Sequence, residues 1–294
     1  MPPKCQTLNN QKPFKTLLFG FAFSPTLDAN IMEVTRIAYY MQAKLVLLHV
    51  GEKDAEKEAK IKALLNSTEH HDLSIDIQWK PGDPYEVILE TTQAMDIDLL
   101  VLGALQHEGL FRFYVGSIAR KLTRKVVCSV LLLIKPSLER IPCQHIVVNG
   151  LDAPDTPEAI GHAVYMAHIL QARQLTVVEE IRQQEVERVE DDKSLKRAYI
   201  KKERLTLRED NRVKGVLNAL PQDWMVNINL KTQSIFGRRG YSIGHYAEVV
   251  RADLLVMNAP LKTRLWDRLF PHDIEHILSD LPTDLLIIRP KHGN

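Results

Sequence analysis

"TLLFGFAFSPTLDANIMEVTRIAYYMQAKLVLLHV", residues 16–50, aligns without a gap to "HIVVNGLDAPDTPEAIGHAVYMAHILQARQLTVVE", residues 145–179. The offset is 129, and it pairs Pro25 with Pro154, Ala38 with Ala167, and Gln42-Ala43-Lys44 with Gln171-Ala172-Arg173. Further on, "DIDLLVLGA" (96–104) matches "RADLLVMNA" (251–259), with Asp98-Leu99-Leu100-Val101 facing Asp253-Leu254-Leu255-Val256 at an offset of 155. A repeat of this length decides the architecture before any single element does. The chain holds two copies of one unit, and the difference between the offsets gives the second copy about 26 extra residues.

Each copy alternates strand and helix periods. In the first, "TLLFGF" is a short apolar run, Ile31, Val34, Ile37, Ala38 and Met41 recur at helical spacing within 28–43, and "KLVLLHV" is strand again. A charged helix-forming stretch from Glu52 to Leu65 follows, then the alternating "LSIDIQW" and a helix opening at "GDPYEVILETTQA" with Pro84 in its first turn. The strand "DLLVLG", a helix from about Val115 to Thr123 and the strand "SVLLLI" close the copy. Continuous apolar strands between amphipathic helices predict a parallel sheet covered on both faces. The fold expected is α/β: two tandem doubly wound domains, each with a five-stranded parallel sheet flanked by helices. The predicted divisions are a tail at 1–13, a first domain at 14–136, a linker at 137–143 and a second domain at 144–290, with a helical insertion near 180–212.

Composition excludes several classes. Apolar residues make up 45% and charged ones 26%, with a formal net charge of +1, so nothing marks a nucleic-acid or acidic-membrane partner. No apolar run reaches signal-peptide or membrane-spanning length, which predicts a cytoplasmic protein without a membrane partner. Cys5, Cys128 and Cys143 have no CxxC spacing and no paired histidines, which supports neither a disulfide framework nor a metal site. Ser/His/Asp order, paired carboxylates and a full Walker loop are also absent, and His107-Glu108 has no third orienting group. No catalytic residues are assigned.

In doubly wound sheets, ligands bind beyond the carboxyl ends of the strands where strand order reverses. The stretch "DLLVLGALQHEGLFRFYVGS" (98–117) leaves strand four at Gly103 and ends in Gly116-Ser117 at a helix start. Glycine admits close backbone approach, and a helix N-terminus offers free N–H groups to an anion. The Ser117 hydroxyl is either a phosphate donor or an N-cap.

The LLHV ending of strand two, "GDPYEVI", "DIDLLVLGA" and the closing "VVCSVLLLIKP" together resemble the tandem members of the universal stress protein (UspA-like) family. That resemblance implies a stress-response binding or regulatory protein whose two copies pack as an intramolecular pseudo-dimer, monomeric or further dimerised, with the closing strands "SVLLLIKP" and "DLLIIRP" as paired edges. ATP-binding members follow G-x2-G-x9-G-[ST] after strand four. Here Gly103, Gln106, Gly116 and Ser117 occupy the four positions, and Gly109 and Val50 join them as expected nucleotide-binding residues. The resemblance therefore implies ATP as cofactor of the first domain only, with slow hydrolysis as the most activity to expect. Two departures stand against it: Gln106 replaces a glycine, and Phe21 stands where such members have an aspartate beside the nucleoside. The alternative is a sensor of a non-nucleotide ligand, or a protein-interaction adaptor.

The second copy departs in the opposite way. Asp152 keeps an acid after strand one, but Asn258, Leu261, Pro271 and His272 replace every signature glycine. Asp152 with Arg238 and Arg239 is a candidate second-crevice site for an anion or a stacked base, against the plainer reading of "FGRRGYSIGHYAE" as a loop before a helix. The charged stretch 179–210 reads as a solvated helix that could also engage an unidentified protein partner.

Overall fold

The computed structural model describes residues 12–70, 72–106, 113–182, 190–237, 241–259 and 272–290. The described chain divides into two compact units, one from residues 11–142 and 278–294, the other from 143–277. The first unit runs β1 (Thr16–Phe21), α1 (Leu27–Met41), β2 (Lys44–Val50), α2 (Ala55–Asn66), β3 (Ile75–Lys80), α3 (Pro84–Ala94), β4 (Leu99–Gly103), the short β5 (Leu105–Gln106) and β6 (Phe113–Tyr114), α4 (Ser117–Lys125) and β7 (Ser129–Leu133). The second repeat continues with β8 (His145–Asn149), α5 (Thr156–Leu170), β9 (Gln174–Arg182), α6 (Asp192–Asn218), β10 (Asn229–Gly237), α7 (Tyr241–Val249), β11 (Leu254–Asn258), α8 (His272–Ser279) and β12 (Asp284–Ile288).

In the first unit the strand order is β3-β2-β1-β4-β7, with every one of these neighbours parallel. Order reverses between β1 and β4, so the switch-point crevice lies beyond Phe21 and Gly103. The two expected edge strands do pair: β12 lies antiparallel on β7, matching Leu285 with Leu132 and Ile287 with Val130. The last strand of the second repeat thus belongs to the compact unit built on the first. The remaining strands of that repeat form a parallel sheet in the order β10-β9-β8-β11 within the second unit. β7 and β8 are buried along their whole length, with Val130–Leu133 and Ile146–Val148 apolar on both faces, as strands under two helical layers must be.

The matched residues of the repeat have matched backbone roles. Gln42 and Gln171 end α1 and α5 in the left-handed conformation, at φ 50° and 57°. Their neighbours' N–H groups, Ala43 and Ala172, donate back to the carbonyls of Ala38 and Ala167, 3.0 and 2.9 Å away. This satisfies carbonyls that a helix end leaves open. Asp96 and Arg251, also paired by the repeat, both turn through positive φ, at 46° and 52°.

Asp98 and Asp253 follow directly. The Asp98 carboxylate accepts from the N–H of Lys15 (2.8 Å) and of Thr16 (2.9 Å), and its own N–H donates to the Thr16 carbonyl at 3.0 Å. Asp253 repeats the arrangement on Gln144 (2.6 Å) and His145 (2.9 Å), donating to the His145 carbonyl at 2.8 Å. Each aspartate clamps the strand before the glycine or asparagine loop to the first strand of its copy, at the opposite end from the crevice.

Helix starts are written in the sequence. Asp54 accepts from Glu56 and Lys57, Asp83 from Tyr85 and Glu86 with Pro84 behind it, and Asp191 forms a capping box with Ser194. The charged stretch becomes α6, which runs to Asn218, beyond its expected end; residues 183–189 lie outside the described region. Residues 241–248 of the expected loop lie in helix α7.

Replacing Asp98 by Ala strands two backbone N–H groups that it satisfies across β1. Unfolding in urea should then show a loss of about 3 kcal/mol, as hydrogen bonds to a charged group are worth about 1.5–3 kcal/mol each. A loss under about 0.5 kcal/mol, the range of an ordinary surface substitution, would contradict the clamp.

Candidate functional site

The first-unit crevice is bordered by Phe21, Val50 and Gly103, the last residues of β1, β2 and β4, and by the start of α4. Gly116 is the N-cap of α4, at φ −61° and ψ 164°, and supplies no side-chain cap; Ser117 is the exposed first helical residue. The N-cap alternative for Ser117 therefore falls to Gly116. The N–H groups of the first turn have no partner inside the helix, and they carry the positive end of its dipole. A Cβ at 116 would lie 2.9 Å from Leu105 Cδ1, so the absent side chain leaves room that a neighbouring leucine already approaches.

Gln106 lies in β5, whose pairing with β6 sets Gln106 opposite Phe113 and Leu105 opposite Tyr114. The loop after strand four is thus partly a two-stranded ribbon. Gly109 lies outside the described residues.

On the other side of Gly103 sits a residue that sequence reasoning missed. Asn30 of α1 is 7% exposed, and its Nδ2 donates to the Thr26 carbonyl (2.9 Å) and hydroxyl (3.1 Å). Those two bonds hold the amide in one orientation. Its Oδ1 is buried without a hydrogen-bond partner, 3.5 Å from where a Cβ on Gly103 would lie. An orphaned acceptor costs about 1–3 kcal/mol, so it suits a ligand that brings a hydroxyl or amino donor.

The side of the crevice at the end of β1 is filled. Phe21, 6% exposed, packs edge-on to Phe23 (5.9 Å between centroids) and Trp79 (6.3 Å) and tilted on His49 (5.4 Å). His49 in turn meets Trp79 at 5.0 Å and Phe23 at 5.1 Å, while Lys57 of α2 stands 5.6 Å over the Phe23 ring. The rings satisfy one another in the edge and offset arrangements that aromatic quadrupoles favour. Phe21 therefore fills space within the protein.

In the second unit the corresponding address is polar. By the 129 offset, Gly150 stands for Phe21, Asp152 for Phe23 and Glu179 for Val50. Arg212 of α6 reaches this point, donating from Nη2 to Glu179 (2.8 Å) and to the Gly150 carbonyl, and from Nε to Glu209 (2.7 Å). Asp152 is two-thirds exposed, with its carboxylate 3.9 Å from Arg212 Nε. Arg238 and Arg239 lie outside the described residues, as do Leu261 and Pro271. Glu180 is buried and accepts from the N–H of Ile243, closing the first turn of α7.

Burial pushes the Cys128 thiol up to about 11, which leaves it inert near neutral pH. Among the described residues no group of three or more His, Cys, Asp or Glu could hold a metal ion, and no helix is long and apolar enough to cross a membrane. His145 and His162 are structural. His145 Nε2 lies 2.8 Å from the Thr176 hydroxyl at the amino end of β8, and His162 Nδ1 donates to the Glu158 carbonyl at 2.8 Å.

Comparison with known proteins places these observations. Residues 13–133 match the model of the universal stress protein family. Universal stress protein Sll1388 of Synechocystis is 24% identical over 91 residues, a match that spans 31% of this chain and 59% of that protein's length. A functionally unknown protein from Pseudomonas aeruginosa PAO1 superposes with a TM-score of 0.66 at 16% identity, over 95% of this chain and 94% of its own. A universal stress protein from Archaeoglobus fulgidus gives 0.63 at 13% identity, over 95% and 99%. At such identities the two structures speak to the fold alone.

Burial lowers the proton affinity of both His145 and His162 from the ordinary value of 6.5. As pH falls below 6.5 the unfolded chain takes up protons that the folded chain refuses, so stability drops on acidification. Replacing His162 by Leu should make that slope shallower by up to one proton, about 1.4 kcal/mol per pH unit. Urea titrations at a series of pH values between 5 and 7.5 check this, and an unchanged slope would contradict it.

Proposed function

We propose, from the match of residues 13–133 to the universal stress protein family model, a UspA-like stress-response regulatory protein whose first unit binds ATP at the open start of α4. The observation that carries this reading is the glycine N-cap at Gly116. Where α2, α3 and α6 are closed by an aspartate, α4 starts at a glycine and has no side-chain cap. Such a terminus suits a phosphate, by N–H donation and by dipole.

Asn30 supports a ligand that is more than phosphate. Its orphaned acceptor over Gly103 fits a sugar hydroxyl lying between the strand end and the helix. Gly103, Gly116 and Ser117 then form the phosphate-side wall, with Val50 at the far rim, and Gln106 and Gly109 stay in the proposed set by their places in the sequence. Binding with signalling by occupancy, in the cytoplasm, is the function proposed. Slow hydrolysis is the most activity proposed.

One observation favours a second reading. The rings of Phe21, Phe23, His49 and Trp79 take up the place a nucleobase would need. On that reading the ligand is a small phosphorylated molecule with a hydroxyl and no base, and the protein is its sensor.

Isothermal titration distinguishes the two. ATP should bind the wild-type chain, and Gly116→Val should weaken it at least about tenfold, equivalent to about 1.4 kcal/mol. The Cβ added by that substitution meets only the end of a flexible, half-exposed leucine, Leu105, so folding should be nearly undisturbed. Pro271→Gly should leave the affinity as it was. Equal ATP affinity in wild type and Gly116→Val would exclude the α4 start as the phosphate site.

A further inference from the structure

The second crevice holds a ligand already, and the ligand is part of the chain. Three acceptor groups converge on the carboxyl ends of β8 and β9: the Gly150 carbonyl, the Glu179 carboxylate and, from α6, the Glu209 carboxylate. Glu179 and Glu209 are 7% and 2% exposed. One guanidinium meets all three, with Nη2 on Gly150 and Glu179 and Nε on Glu209. Asp152 stands outside them, and Arg208 backs Glu209 from the solvent side at 2.6 Å.

This arrangement is selective for a flat, forked cation. Guanidinium donates in two directions in one plane and is weakly hydrated, which suits a site walled by buried carboxylates. A phosphate would meet Glu179, Glu209 and Asp152 and be repelled. Gly150 contributes by having no side chain: a Cβ there would lie 2.7 Å from Val177 Cγ1 and 3.2 Å from the Val178 carbonyl. Close packing of β8 on β9 therefore leaves its carbonyl as the feature presented to α6.

We propose that Arg212 is a built-in occupant of the second crevice: α6, lengthened in this repeat, inserts its own guanidinium at the address that aromatic rings fill in the first unit, and latches itself over the strand ends. The recess is built for a planar cation, and with α6 latched the chain supplies that cation itself. The residues that carry this are independent of the α4 site, so it stands whether or not the first unit binds nucleotide. Removal of Arg212 leaves two buried carboxylates without their shared partner, which is strongly destabilising, and leaves a hole of guanidinium shape.

Chemical rescue of the full chain tests this. Arg212→Ala should lower the thermal midpoint by roughly 10 °C and raise amide hydrogen exchange in residues 205–214. Millimolar methylguanidinium chloride, against sodium chloride at equal strength, should restore much of both in Arg212→Ala and change neither wild type nor the exposed control Arg204→Ala. Arg212→Lys should fall between, because an ammonium lacks the planar fork. If Arg212→Ala does not fold, Arg212→Lys and Glu179→Gln carry the exchange measurement and should both speed exchange in 205–214. Unchanged exchange there in every folded variant, or methylguanidinium acting alike on Arg212→Ala and Arg204→Ala, would overturn the proposal.

Discussion

The carboxylate of Asp98 bonded to the N–H groups of Lys15 and Thr16 is the contact on which the first unit's site depends. It joins β4 to β1 in a parallel sheet where strand order reverses, and so decides which strand ends face each other across the crevice. Phe21 and Gly103 are neighbours at the carboxyl edge because Thr16 and Asp98 are neighbours at the amino edge, five residues earlier along each strand. The backbone of Asp98 also accepts from Ser129 at 3.1 Å, which starts β7 in the same register. The same construction on Asp253 positions β11 against β8 in the second unit. A carboxylate that takes two backbone N–H groups and returns one bond holds the register more firmly than apolar packing alone, which tolerates sliding along a uniform strand of leucine and valine.

Given that common frame, the two copies differ by what fills one address. In the first, Phe21 and Phe23 with His49 and Trp79 make an apolar plug below an open helix start. In the second, Gly150, Asp152 and Glu179 make a polar recess that Arg212 enters. Rings and an ion cluster are two solutions to the same constraint: the ends of parallel strands leave a concavity, and a concavity without a ligand must be filled or hydrated. The retained feature is the α4 start, and it lies on the side of the crevice that the ring plug leaves alone.

Much of this is legible in the sequence. The repeat and the alternation of periods implied the doubly wound sheets, and the paired Gln42 and Gln171 foretold equivalent helix ends without saying that both would turn left-handed. Asp83 before Pro84 marked the start of α3. Less legible was Asn30, an ordinary polar residue at helical spacing whose meaning depends on what lies above Gly103 in space. Arg212 was hidden differently. It sits in the lengthened segment that has no counterpart in the first copy, amid charges of both signs that read as a solvated helix. The signal was across from it: "LTVVEEIR" places Glu179 and Glu180 in a strand where the first copy has only Val50 and a turn, and acids in a buried strand call for partners. Glu180 found a helix start and Glu179 an arginine.

The two crevices are asymmetric: one is open at the α4 start, the other is occupied by the chain's own Arg212. Native mass spectrometry of the full chain with saturating ATP measures this asymmetry most directly. A single bound nucleotide per chain, lost in Gly116→Val, is the result expected. Two nucleotides per chain, or one that persists in Gly116→Val, would contradict the claim.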